Sequence, residues 1–151
     1  MKRFVFPLEK ALEIREIRKL LAEEKLGEAQ REESRTRQRL ATAEGMREQC
    51  FDGIRASLGG RVDPVEMRYL MQLRTSIEDE IWRQKTDLVK KEAATKEATE
   101  TVVKRTQEER TLVQHRENRL EEYMALYWWE QGKALDEMGS QRFLRSKGGE
   151  S

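Results

Sequence analysis

Ser57-Leu58-Gly59-Gly60-Arg61-Val62-Asp63-Pro64 is the stretch that decides the fold, because it holds the only adjacent glycines ahead of the C-terminal segment and the only proline beyond Pro7. A glycine closes a helix C-terminus in the left-handed conformation at little steric cost, so Gly59 or Gly60 is expected there. Pro64 cannot continue a helix at its own nitrogen, so one helix ends in this stretch. Asp63 then suits the N-cap of a second helix, Pro64 its first turn, and Glu66 the acidic slot of a capping box, with Val62 and Met67 placed as a hydrophobic staple. The local signals predict a chain reversal: helix one over about 8–58, a turn over about 59–63, and helix two over about 64–138.

Working outward, Leu8 to Leu58 contains no proline, and its interior glycines, Gly27, Gly45 and Gly53, each cost only about 1 kcal/mol in a helix. An apolar seam steps in threes and fours through Val5, Leu8, Leu12, Ala22, Leu26, Ala29, Leu40, Ala43, Cys50 and Ile54. It is thin: Arg15, Lys19, Glu33, Thr36 and Arg47 take seam positions. Ile14, Ile17 and Leu21 form a second stripe, which either widens the internal face or meets a partner. On the far side of the turn the seam runs through Leu70, Leu73, Ile77, Ile81, Gln84, Leu88, Thr95, Ala98, Val102 and Leu112, with an extra four-residue step at Ile77–Ile81. The fold class is therefore all-α, two long helices in an antiparallel coiled-coil hairpin with its tip near Gly59–Pro64. Residues 1–145 are expected to form this single hairpin and 146–151 a flexible, Gly-Ser-rich tail.

At ~1.5 Å per residue the first helix would run to ~75 Å and the second to ~110 Å, a rod rather than a compact domain. Folding at Gly60–Arg61 sets residue i opposite roughly residue 122 minus i, so helix two overhangs helix one. The overhang carries Tyr123, Tyr127, Trp128 and Trp129, the densest aromatic cluster in the chain. Consecutive helical residues point about 100° apart, so two helices cannot bury all of these rings and at least one is expected in solvent. Tyr123, Tyr127, Trp128 and Trp129, with Ile14, Ile17 and Leu21, are the candidate partner-binding residues. Either the aromatic cluster closes the open end against Phe4, Val5 and Phe6, or it binds something.

Composition agrees with a polar helical protein: 39% of residues are charged, 36% hydrophobic, and mean hydropathy is -0.92. The 30 basic residues against 29 acidic ones provide no clustered basic excess, so nucleic acid is not an expected partner. No apolar run is long enough for a membrane span, and charged residues resume at Glu9 before a signal-peptide core could form, so a cytoplasmic location without membrane insertion is expected. Cys50 and His115 are each the only residue of their kind, too few for a Cys/His zinc site, and Cys50 reads as a small apolar packing residue. No phosphate loop or nucleophile elbow is present, and pairs such as Glu23-Glu24 lie among basic neighbours on exposed helix. No catalytic, metal or cofactor-binding residue is expected; the chain does not read as an enzyme.

The opening Phe4-Val5-Phe6-Pro7-Leu8-Glu9-Lys10-Ala11-Leu12-Glu13-Ile14-Arg15-Glu16 resembles the start of the FliJ family of flagellar type III export proteins. Leu120-Glu121-Glu122-Tyr123 and Lys133-Ala134-Leu135-Asp136-Glu137-Met138 are similar to the family's C-terminal portion. The resemblance implies a two-helix stalk protein, like the central stalk of rotary ATPases. Such a stalk works with the flagellar export ATPase, contacts the cytoplasmic domain of the export gate, and engages export chaperones. It implies a cytoplasmic protein held peripherally at the inner membrane by the export apparatus. The alternatives are the stalk of a virulence type III secretion system and an unrelated homo-oligomeric coiled-coil scaffold.

Overall fold

The structure, a computed structural model, describes residues 2–149. Among them there is no strand: helices α1 (Glu9–Leu58) and α2 (Pro64–Gly148) pack against each other as the antiparallel hairpin the sequence predicts. Pro7 sits just ahead of α1, where the Glu9 N–H donates to the Phe6 carbonyl at 3.2 Å. At the start of α2 the Asp63 carboxylate accepts from the Val65 N–H at 2.9 Å, and the Asp63 carbonyl accepts from the Met67 N–H at 3.0 Å. Asp63 is thus the N-cap and Pro64 the first helical residue, where a missing N–H costs nothing.

Two expectations are corrected. No glycine among the described residues has a positive φ, so neither Gly59 nor Gly60 forms a left-handed cap. Instead the Gly59 N–H makes an ordinary helical bond to the Arg55 carbonyl at 3.1 Å, and the chain turns over Gly60 to Asp63. Helix α2 also continues past the expected stop near Met138 to Gly148. A lone Gly139 is too weak a breaker to end it, and Arg145 and Lys147 in the last turn favour the negative end of the helix dipole. The expected tail at 146–151 therefore begins inside α2; Glu150 and Ser151 lie outside the described residues.

Both helices contribute to two compact units, one formed by Lys19–Arg105 and the other by the remaining described residues. In the Lys19–Arg105 unit the core is the buried set Ala43, Cys50, Ile54, Ile77 and Ile81, flanked by Leu40, Phe51, Met67, Leu70 and Leu73. Each buried isoleucine contributes about 1.5–3 kcal/mol relative to exposure. Cys50 is packed as an apolar residue, its thiol 3.4 Å from the Leu70 carbonyl. Beyond Ala43 the seam becomes polar. Thr36 is only 1% exposed and turns its hydroxyl back to the Glu32 carbonyl at 3.0 Å. Next to it Arg37 donates to Glu33 at 2.8 Å and, across the seam, to Glu92 at 2.7 Å. The Arg37 guanidinium holds the Glu33 carboxyl below the usual carboxylate range. The Thr95 hydroxyl adds a smaller pull from beside it, in a geometry too poor for a full hydrogen bond.

In the other unit Phe6, Leu12 and Leu112 are buried, Arg15 donates to the Glu108 carbonyl at 2.6 Å, and Glu9 pairs with Arg116 at 3.2 Å. Val5 and Leu8, placed on the seam by sequence, are exposed. They precede α1, so helical spacing does not extend to them, and Phe6 takes the covered position instead. No helix among the described residues is long and apolar enough to cross a membrane.

A Cβ at Gly60 would meet nothing within 4 Å, so Gly60→Ala should be neutral or stabilise by about 0.4–1 kcal/mol through the unfolded chain. Asp63→Ala should cost about 1 kcal/mol with the lost cap, and denaturant melts of the two variants measure both. The depressed Glu33 carboxyl stabilises the fold above its unfolded pKa and loses that contribution as pH falls through its lower folded value. Wild type should therefore be more stable than Glu33→Gln at pH 7, with the gap closing as pH drops below 4.5; parallel melting curves at all pH values would remove Glu33 from this role.

Candidate partner-binding surface

The surface forms because α2 carries on after the chain ahead of α1 has ended its cover. Phe4 places its ring 5.5 Å from that of Tyr123, whose hydroxyl donates to the Lys2 carbonyl at 2.9 Å. Phe6 places its ring 5.7 Å from His115. These contacts close part of the end, as one of the two sequence readings expects. They leave a groove of about 550 Å³ lined by Phe4, Leu8, His115, Tyr123 and Leu126.

The closure stops at Tyr123. Tyr127 is half-buried, its ring edge-on to Trp128 at 5.4 Å, while Trp128 and Trp129 are 64% and 65% exposed. Every described residue from Trp128 to Gly149 is exposed. Trp129 is partly covered only by the Lys133 ammonium, 5.5 Å from the ring centre. The structure therefore divides the aromatic cluster, assigning Tyr123 to closure and leaving Trp128 and Trp129 open. Ile14 and Ile17, in the same unit, are exposed, as is Leu21 in the Lys19–Arg105 unit. The α1 stripe thus does not widen an internal face.

Two groups of exposed residues escape the sequence reading. Leu135, Phe143 and Leu144 lie on the part of α2 that continues to Gly148, and the expected stop near Met138 hides their common helix. Trp82 is 70% exposed although its neighbour Ile81 is buried. Its one-residue offset from the seam was the available signal, since adjacent helical residues point about 100° apart.

The chemistry of this surface is apolar and aromatic with basic and acidic neighbours. Among the described residues no group of three or more His, Cys, Asp or Glu side chains is placed to hold a metal ion. His115 faces the ring of Phe6. What the arrangement presents is large apolar and aromatic side chains open to solvent.

Comparison with known proteins gives two findings. The family model described as flagellar FliJ protein matches residues 4–148. Among solved structures, CT670 from Chlamydia trachomatis, described as a proposed YscO homologue, is similar with a TM-score of 0.67 and 21% identity, over 96% of this chain and 98% of that one. At that identity the likeness concerns the fold. No curated protein matches.

Proposed function

The chain belongs to the flagellar FliJ protein family, and from that premise we propose that it is a non-catalytic stalk protein of the flagellar type III export apparatus. In this reading it works in the cytoplasm, is held peripherally at the inner membrane by the apparatus, and binds the export ATPase ring, promoting its assembly and activity. It also meets the cytoplasmic domain of the export gate and the export chaperones. The family match over residues 4–148 carries the reading. A fold shared with CT670 over nearly the whole of both chains agrees with it.

For the ATPase contact we assign Trp128 and Trp129, with Tyr127 buttressing Trp128 from behind. Large aromatic side chains have few rotatable bonds to immobilise when a partner covers them, which suits them as anchors. The exposed Ile14, Ile17 and Leu21 of α1 are the next candidates. Replacing Trp128 and Trp129 together with alanine should abolish stimulation of the flagellar export ATPase. The thermal transition should move by no more than a few degrees, because exposed residues contribute little to stability. Undiminished stimulation would remove the tryptophans from the contact and bring the α1 residues forward. Copurification with a flagellar rather than a virulence-secretion ATPase separates the two export settings.

A further inference from the structure

The free part of α2 has a pattern that includes Trp128 and extends well beyond the proposed ATPase contact. Met124, Trp128, Leu135 and Met138 are all exposed and, with Gln131 filling the gap, follow one another in alternating steps of four and three. Arg142 and Arg145 continue the same steps. This is the spacing of a coiled-coil seam, and at about 100° per residue it occupies one face of α2. Tyr123 and Leu126, which face the segment ahead of α1, fall on other sides of the helix, well away from this stripe. Trp129 is also off it. Among the described residues the stripe is a second seam left open to solvent, its ring contact being that of Tyr127 with Trp128 on the same helix.

Charge indicates what covers it. Along this face the earlier part is acidic, with Glu117 and Glu121, and the end is basic, with Arg142 and Arg145; Arg116 and Arg119, on other sides of the helix, pair with Glu9 and Glu122. A parallel copy would set like charges against like. An antiparallel copy sets acidic against basic at both ends, since a two-fold axis repeats each contact. The register also closes on the apolar side chains: with the axis beside Lys133, Trp128 meets Met138 of the second copy, Leu135 meets Gln131, Arg142 meets Met124, and Arg145 meets Glu121. We propose that this face of α2 is an antiparallel homodimer seam whose occupant is the same face of a second copy of this chain.

The polar Gln131 and the arginines at seam positions make the pair weak and specific rather than permanent, since buried polar groups in a coiled coil fix register at a cost in stability. The dimer covers Trp128 and leaves Trp129 open, so a second copy and the proposed ATPase contact compete for Trp128 and exclude each other there.

The test is the mass of the full chain in solution. Wild-type protein by light scattering or sedimentation should rise from 17.9 kDa towards twice that value as concentration reaches about 100 µM. Two charge-reversed variants follow, one carrying Arg142→Glu and Arg145→Glu, the other Glu117→Lys and Glu121→Lys. Each should stay at 17.9 kDa alone, with helicity unchanged by circular dichroism, and the two mixed in equal amounts should form the dimer again. Wild-type protein that remains monomeric over this range leaves the face to another partner and overturns the proposal. So do variants that dimerise as well as wild type, or a mixture that stays monomeric.

Discussion

Two helices packed side by side can each cover only one stripe of the other, and every feature of this protein follows from what that stripe can and cannot hold. The covered stripe is short of apolar residues: in the Lys19–Arg105 unit the core is one cluster, Ala43, Cys50 and Ile54 against Ile77 and Ile81. Elsewhere the contact is made by Thr36, by Arg37 between Glu33 and Glu92, and by the Arg15 hydrogen bond to Glu108. A polar seam of this kind specifies which residues face each other more than it adds stability, because exposed ion pairs contribute little. It also leaves apolar residues over. Those off the stripe or past the chain that covers α2 remain in solvent, and they are the residues available for binding.

The helix lengths make this surplus concrete. α1 has 50 residues and α2 has 85, so the last turns of α2 lack a partner helix. Such turns have no tertiary packing, from which most helical stability in proteins comes, so they are the part of α2 that opens most readily. In a stalk protein of an export apparatus, an aromatic, uncovered helix end is a reasonable place for a binding energy that the hairpin does not spend on itself. Tyr123 holds Phe4, whereas Trp128 and Trp129 touch only neighbours on α2, Tyr127 and Lys133, so the cover supplied by the chain ahead of α1 ends between them.

Much of the fold could be read from the residues. The seam positions Leu12, Ala22, Thr36, Ala43, Cys50 and Ile54 are all buried, and so are Ile77, Ile81 and Leu112 on the opposite helix, because a heptad pattern depends only on backbone geometry. The Asp63-Pro64 start of α2 was equally legible, its cap being local chemistry. The left-handed glycine was not, because a chain can reverse through several ordinary backbone conformations once Gly59 has completed its bond to Arg55. The end of α2 was missed since one glycine and a polar composition resemble a tail whether or not the helix persists. Of the candidate surface, the sequence placed the aromatic residues together. It could not say which ring the Phe4 segment would claim, since that depends on how a non-helical stretch ahead of Pro7 lies against α2.

The central claim is that the open end of α2 is where this protein meets the export ATPase. Backbone hydrogen exchange, measured on the full chain with and without the flagellar export ATPase, tests it most directly. The account predicts that the amides around Trp128 and Trp129 exchange quickly in the free protein and slow markedly on binding, while those of Ala43, Ile54 and Ile81 stay as they are. Protection confined to other parts of the chain, with exchange around Trp128 and Trp129 unchanged, would contradict it.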